Sequence, residues 1–232
     1  MTGPSAAPVI AIDGPTASGK GTIAAGVAKR LEFNYLDSGS LYRLVSLEAQ
    51  GAGVELDDEA ALIAIAGALR PEFVDDRIRV EGQDVSDRIR EEGIGAAASR
   101  LAVLPGVRQA LVDTQRRFRT YPGLVADGRD MGTAIFPDAK LKIFLTADVQ
   151  SRAERRHKQL IEKGFSSSIT GLLPVLRERD ERDANRAVSP LRAADDAVVI
   201  DSTHLSIDQT IEQVLGAWQA VAGAGKQGAG RQ

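Results

Sequence analysis

The chain predicts an α/β fold built on a parallel sheet, and three observations carry that expectation. The stretch V-I-A-I-D-G-P-T-A-S-G-K-G-T at residues 9–22 runs from a short apolar segment through a glycine-rich turn into a helical pattern. Four more short apolar segments follow, at 34–36, 124–126, 141–145 and 197–200, with helical patterns between most of them. That rhythm is the rhythm of βα units. Asp13, Asp37, Asp127 and Asp201 stand at or just past the ends of four of the five segments, and parallel sheets gather ligands at strand carboxyl ends. Aspartates in turns and helix caps are common as well, so each of the four has a plainer reading beside the functional one.

The first element is the most informative. Val9 to Ile12 reads as a buried strand, Gly14 to Gly19 as a tight turn, and Lys20 opens a run with Ile23, Val27 and Leu31 at helical spacing. Strand, G-x-x-x-x-G-K, helix is the context of a phosphate-binding loop. Glycines let the backbone curl so that several N–H groups face one anion. The helix N-terminus adds unsatisfied donors, and Lys20 adds a full charge. Gly14, Pro15, Thr16, Ala17, Ser18, Gly19, Lys20, Gly21 and Thr22 therefore form a candidate site for the phosphates of a nucleotide. One position departs from the usual pattern: Gly21 stands where Ser or Thr normally faces magnesium, and Thr22 comes next. The G-K-G-T ending resembles nucleoside monophosphate kinases and leads away from GTPases.

Between the second and third strands the rhythm breaks. Residues 72–90 alternate around Ile78, Val80 and Val85, with Glu81–Gly82–Gln83–Asp84 as a turn. This predicts an antiparallel hairpin in a small inserted lobe, about 57–97. Residues 1–7 and 222–232 are small and polar and are expected to be disordered. The 232 residues fit one α/β domain with a modest insertion. A formal net charge of −3 gives no global field to recruit nucleic acid or an anionic membrane. No cysteine and only 2 histidines argue against disulfides, thiolate chemistry and a zinc site. No segment approaches the ~20 apolar residues of a membrane span, and the start lacks the pattern of a signal peptide. A cytoplasmic protein is expected.

The C-terminal third is rich in arginine. Arg152, Arg155 and Arg156 fall at i, i+3, i+4, and Arg179, Asp183 and Arg186 at i, i+4, i+7, so each set shares a helix face. A solvated helix laced with Glu178–Arg182 and Arg179–Asp183 pairs is the plain reading. The phosphate loop favours another: phosphoryl transfer spreads charge over oxygens that arginines stabilise, and arginine suits bidentate phosphate contacts better than lysine. Pro174 implies a helix that starts after Ser168 and kinks, or one that starts near Gly171.

Four strings now coincide in order: I-D-G-P-x-x-x-G-K-G-T at 12–22, L-D-S-G-x-x-Y-R at 36–43, D-G-R-D-M-G-T at 127–133 and E-R-D-x-R-D-x-N-R-A-V-x-P-L at 178–191. Together they closely resemble the bacterial cytidylate kinases over about 9–218. The resemblance implies a P-loop kinase core with a five-stranded parallel sheet flanked by helices, an inserted antiparallel monophosphate-binding lobe and a short helical lid. It implies one domain over 1–232, with the monophosphate-binding region at about 39–122 and the lid region at about 152–188. It implies transfer of the γ-phosphoryl group of ATP to CMP or dCMP, with Mg²⁺, by a monomer with no nucleic-acid or membrane partner. Ser38 and Arg43 match residues that hold the monophosphate, and Ser99 and Arg108 match residues that contact cytosine. Arg129 and Asp130 match a phosphate ligand and a base reader. Arg179, Asp183 and Arg186 match ribose and phosphate contacts, and Arg155 and Arg156 fall in the lid beside the ATP phosphates. Lys20, Arg129, Arg186, Arg155 and Arg156 are thus the expected catalytic charges, with Thr22 nearest to the metal.

The chemistry of the base agrees with this set. Cytosine presents an exocyclic amine where uracil presents a carbonyl, so a carboxylate such as Asp130 accepts from one and opposes the other. Three alternatives stand beside this one. They are a kinase for another small acceptor, such as UMP or a non-nucleotide, a GTPase-type switch, and a non-catalytic nucleotide- or RNA-binding module. The absence of an N-K-x-D string disfavours the second, and intact Lys20 the third.

Overall fold

The five residues of β1 (Val9–Asp13) are all buried, which only a central strand with both faces covered requires. In this computed structural model, which describes residues 6–74, 77–162 and 164–227, the chain divides into two compact units. One comprises residues 1–36 and 118–232, the other residues 37–117.

The first unit carries the five-stranded sheet. Its strands are β1, β2 (Asn34–Asp37), β6 (Leu124–Gly128), β7 (Leu141–Thr146) and β8 (Val198–Asp201), in the order β2-β6-β1-β7-β8. β1 pairs in parallel with β6 and with β7, and β7 with β8. Each apolar segment is a strand, and β6 runs on through Asp127 and Gly128. The register sets Asp13 opposite Gly128 and Phe144, so the ends of β1 and β6 lie level. α1 (Lys20–Leu31) and α8 (Ile207–Gln227) cover the sheet through Ile23, Val27, Ile211, Val214 and Leu215. α6 (Val149–Glu162) and α7 (Ile169–Ala184) form the arginine-rich region. α7 starts after Ser168, whose hydroxyl accepts from the Gly171 N–H at 3.1 Å, and Pro174 lies inside it.

The second unit holds α2 (Ser38–Gly51), α3 (Glu59–Ala68), α4 (Glu92–Leu101) and α5 (Pro105–Arg117). It also holds β3 (Pro71–Val74), β4 (Arg77–Val80) and β5 (Gln83–Asp84). The expected hairpin is therefore part of a three-stranded antiparallel sheet ordered β3-β4-β5. The expected turn falls between β4 and β5, with the second arm at Gln83–Asp84 instead of around Val85, and β3 is the strand that the alternation did not separate.

Two terminal expectations need correction. Ala7 is buried, and its carbonyl accepts from Arg119 Nε at 2.7 Å. Residues 222–227, expected to be disordered, continue α8 to Gln227; Ala222, Ala224, Lys226 and Gln227 favour a helix, against Gly223 and Gly225. Residues 1–5 and 228–232 lie outside the described residues.

Candidate active site

The phosphate loop is shaped by two backbone positions. Ala17 and Gly19 both adopt positive φ, 59° and 89°. Glycine takes that region freely, whereas alanine costs on the order of 1 kcal/mol or more. Left-handed residues spaced this way turn successive N–H groups to one side and form an anion-binding nest. Gly14 lies against the Leu145 carbonyl with no room for a Cβ, which seats the loop on the end of β7. Lys20 begins α1, and its Nζ folds back to the Pro15 carbonyl at 3.3 Å. Ser18 is buried, and its Oγ has no hydrogen-bond partner among the described residues. Pro15, Thr16 and Gly21 complete the turn, and Thr22 is exposed on the first turn of α1.

Around the loop stands a lattice of arginines and carboxylates. Arg129 follows β6, and its Nε donates to Asp183 Oδ2 at 2.7 Å while its Nη2 donates to Thr16 Oγ1 at 2.8 Å. Asp183, on α7, also pairs with Arg186. Burial pushes the Asp183 carboxyl upward, but Arg129, Arg186 and Arg179 outweigh it and hold the group below the usual carboxylate range. The outer face of α7 carries the Glu178–Arg182 pair of the plain reading. Asp183, next along the helix, is paired with Arg129 and Arg186 instead.

Arg152 and Asp180 were missed as site residues. Arg152 is buried; it donates to the Thr16 carbonyl at 3.1 Å and the Ala147 carbonyl at 3.0 Å, and grips Asp180 through two bonds of 3.1 and 2.6 Å. Its i, i+3, i+4 relation to Arg155 and Arg156 was the available signal. Arg155 donates to the Ser18 carbonyl at 3.1 Å, to Ser202 Oγ at 3.0 Å and to the Ser202 carbonyl. It thus grips the backbone of the loop. Arg156 lies further along α6 and reaches Gln159 Oε1 at 3.5 Å.

The four strand-end aspartates part ways. Asp37 caps α2 by accepting from the Ser40 N–H at 3.2 Å, and Asp201 accepts from the Thr203 N–H at 2.9 Å, which are the plain roles. Asp127 accepts from the Tyr35 hydroxyl at 2.7 Å. Asp13 accepts from the N–H groups of Met131 and Gly132, both at 2.8 Å, and so ties the end of β1 to the turn that carries Arg129 and Asp130. Burial pushes the Asp13 carboxyl up to about 6 despite those two bonds and nearby Arg129, with Asp130 adding repulsion. Asp130 itself is buried at the start of a π-turn over Met131–Ile135.

The second unit holds four predicted residues on three helices. Ser38 opens α2 and is buried. Arg43, one turn on, donates to the Ile89 carbonyl at 2.8 Å. Its guanidinium fills the space beside Gly95 of α4, where a Cβ would stand 2.9 Å from it. Ser99 is buried on α4, and Arg108 is buried on α5. Arg108 donates to the Ala102 carbonyl at 3.0 Å and lies over the Tyr42 ring, 5.9 Å from its centroid. Such a stack holds a guanidinium flat while its edge stays available for hydrogen bonds. Tyr42 is the tyrosine of the L-D-S-G-x-x-Y-R string, whereas Gly95 was not singled out from the sequence; nothing in one chain marks a glycine as making room for a distant arginine.

Among the described residues no helix is long and apolar enough to cross a membrane. No group of three or more His, Cys, Asp or Glu side chains there could hold a metal ion.

Comparison with known proteins gives one consistent result. The Bordetella bronchiseptica protein described as cytidylate kinase is 59% identical over 93% of this chain and 96% of its own. The Chromobacterium violaceum cytidylate kinase is 56% identical over 90% and 94%, and the Burkholderia mallei one 58% over 91% and 92%. The family described as cytidylate kinase matches residues 10–220, so with a phosphate loop, an arginine lattice and the D-G-R-D turn already in place, the chain belongs to the cytidylate kinase family.

Proposed function

We propose that the protein transfers the γ-phosphoryl group of ATP to CMP or dCMP, giving ADP and CDP or dCDP. The observation that carries this is the pairing of a nucleotide-type phosphate loop with arginines, Arg129 and Arg186, held in place by one buried carboxylate, Asp183, in a chain of this family.

The chemistry asks little of the protein beyond placement and charge. The acceptor is already a phosphate oxygen, so no strong base and no protein nucleophile are needed. The nest of N–H groups from Gly14 to Gly19 grips the donor phosphates, and Lys20 follows the charge onto the transferring group. Arg129, Arg186, Arg155 and Arg156 neutralise the oxygens on which charge is spread, with Arg179 and Asp183 on the ribose and phosphate of the acceptor. Holding such donors fixed in advance removes reorganisation from the barrier. Ser38 and Arg43 receive the acceptor's 5′-phosphate. Ser99 and Arg108 contact the cytosine, and Asp130 accepts from its exocyclic amine. A uracil carbonyl facing that carboxylate is repelled, which sets the base preference.

A divalent cation arrives with ATP. Magnesium keeps several waters and takes one or two protein groups together with phosphates, and the donors near the loop suit that: Thr22 and the buried Asp127 carboxylate. When bound, the cation neutralises phosphate charge and orients the chain of phosphates. The protein acts as a cytoplasmic monomer on free nucleotides, in keeping with a net charge of −3 that does not draw it to nucleic acid or anionic membranes.

A coupled ADP-release assay with CMP, dCMP, UMP and AMP tests this reading. Turnover with CMP and dCMP well above UMP and AMP is the expected result. Equal use of UMP, or ATP hydrolysis indifferent to any monophosphate, overturns it.

A further inference from the structure

The phosphate loop lacks one of its usual parts. In the common pattern the residue after the lysine is Ser or Thr, and its hydroxyl faces the nucleotide's divalent cation; here that residue is Gly21. The space is not left without a hydroxyl. A Cβ built on Gly21 would stand 3.6 Å from the Tyr35 hydroxyl oxygen. The hydroxyl comes from β2 across the sheet rather than from α1. It donates to Asp127 Oδ1 at 2.7 Å, on the neighbouring strand β6. Asp127 is only 4% exposed.

Thr22, the other candidate donor, does not occupy the place of a hydroxyl at position 21. It is exposed, and one residue along a helix turns a side chain by about 100°. Glycine at position 21 is therefore matched to tyrosine at position 35: the small residue leaves the place that the phenol enters.

Resting on the reading of the loop as the ATP phosphate site, we propose that the Tyr35 hydroxyl replaces the missing hydroxyl of the loop. It orients Asp127 toward the water shell of the divalent cation that accompanies the nucleotide. A phenol that donates to a carboxylate can still accept a hydrogen bond through its oxygen, so both groups can face cation-bound water. Tyr35 is a positioning residue in this account. The plainer account is that its ring merely packs against the core beside Phe33 and Trp218.

Tyr35→Phe separates the two, because it keeps the ring and removes only the hydroxyl. The measurement is the Mg²⁺ dissociation constant of the full-length protein saturated with ADP, by calorimetry, repeated with Mn²⁺ by its paramagnetic signal. ADP affinity without cation and the thermal midpoint are recorded alongside. Loss of an outer partner of a metal site weakens binding by roughly 10- to 100-fold. Tyr35→Phe is expected near the lower bound, about tenfold, with ADP affinity in the absence of cation unchanged. Gly21→Ser in the Tyr35→Phe background returns a hydroxyl from the helix side, and position 21 has ordinary van der Waals room for it. The expected result is recovery of most of the lost cation affinity. Cation binding by Tyr35→Phe within twofold of the unaltered protein overturns the proposal. So does a loss larger in Thr22→Ala than in Tyr35→Phe, or a loss that Gly21→Ser does not reduce. Failure of the unaltered protein to bind Mg²⁺ with ADP would instead sink the reading of the loop itself.

Discussion

The two units hold their arginines in different ways. In the first, Arg129 and Arg186 are gripped by Asp183 and Arg152 by Asp180, while Arg155 is held by the Ser18 and Ser202 carbonyls. In the second, the grips within the unit include backbone carbonyls, Ile89 for Arg43 and Ala102 for Arg108, and the face of Tyr42. A carboxylate fixes both direction and charge, and it partly neutralises the arginine before any phosphate arrives. A carbonyl fixes direction and does not itself carry a neutralising charge. The first arrangement suits a site where several cations crowd around a reacting group and would otherwise repel one another. The second suits a site that must attract one dianionic monophosphate and read one base.

If the division is right, damage to the first unit should fall on turnover. Lys20→Met is the harshest such test, since the proposed mechanism has the charge of Lys20 follow the transferring phosphoryl group. Removing one contact of this kind costs ~10²–10³ in kcat. CMP binding, measured directly by calorimetry, should remain near that of the unaltered enzyme. Turnover within about threefold of the unaltered enzyme would mean that the loop does not grip the donor.

Asp130 tests specificity. It belongs to the first unit by sequence and burial, yet it is assigned to the base. Asp130→Ala should lower kcat/KM for CMP by roughly 30- to 1000-fold, the effect of losing a buried charged hydrogen bond. UMP should suffer far less, because its carbonyl opposed the carboxylate from the start. A parallel fall for both pyrimidines would make Asp130 structural, and the KM for ATP should hardly move in either case.

How far the sequence spoke for each unit follows the same division. The five strands were legible because short apolar segments of three to five residues, set between helical patterns, have few other uses. The phosphate loop was legible because its spacing is a covalent property of one segment. Arg129 and Asp183 were nameable individually, but their 2.7 Å pairing joins residues 54 apart in the chain, and no local period encodes that. The same holds for Asp13, which looked like any turn aspartate until the register of β1 and β6 set it beneath Met131 and Gly132. In the second unit the hairpin was legible, whereas β3 and the fit of Gly95 to Arg43 were not. Both depend on what packs opposite.

Asp13 and Asp183 should also respond to pH in opposite senses. The Asp13 carboxyl is raised from 3.8 to about 6 in the folded protein. Between those values the folded state holds a proton that the unfolded state has lost, so stability falls as pH rises through that window. From pH 4 to 7 the ionised group costs roughly 2–3 kcal/mol relative to its neutral form. Asp183 is held low, so its contribution is full above 3.8 and is lost only as pH drops below that value. Urea unfolding of the unaltered protein and of Asp13→Asn at pH 4, 5.5 and 7 isolates the first effect. The stability difference, unaltered minus variant, should decline across the series. A flat difference would show that Asp13 ionises normally and that burial beneath the D-G-R-D turn is not what sets it.

The smallest expected effect probes the carbonyl-held arginines. A Cβ at position 95 would stand 2.9 Å from both Arg43 terminal nitrogens, so Gly95→Ala must displace the guanidinium from its place against the Ile89 carbonyl. The backbone itself has no reason to object. Position 95 is inside α4, where alanine is favoured over glycine by up to about 1 kcal/mol. The fold should therefore be as stable as before or more so, while the monophosphate site loses its alignment. Loss of one such hydrogen bond corresponds to roughly a three- to tenfold rise in KM for CMP. The KM for ATP and the kcat at saturating CMP should stay put, because the donor site lies in the other unit. A stable variant with an unchanged KM for CMP would show that Arg43 does its work in some other pose, and the distinction between carbonyl-held and carboxylate-held arginines would lose its functional meaning.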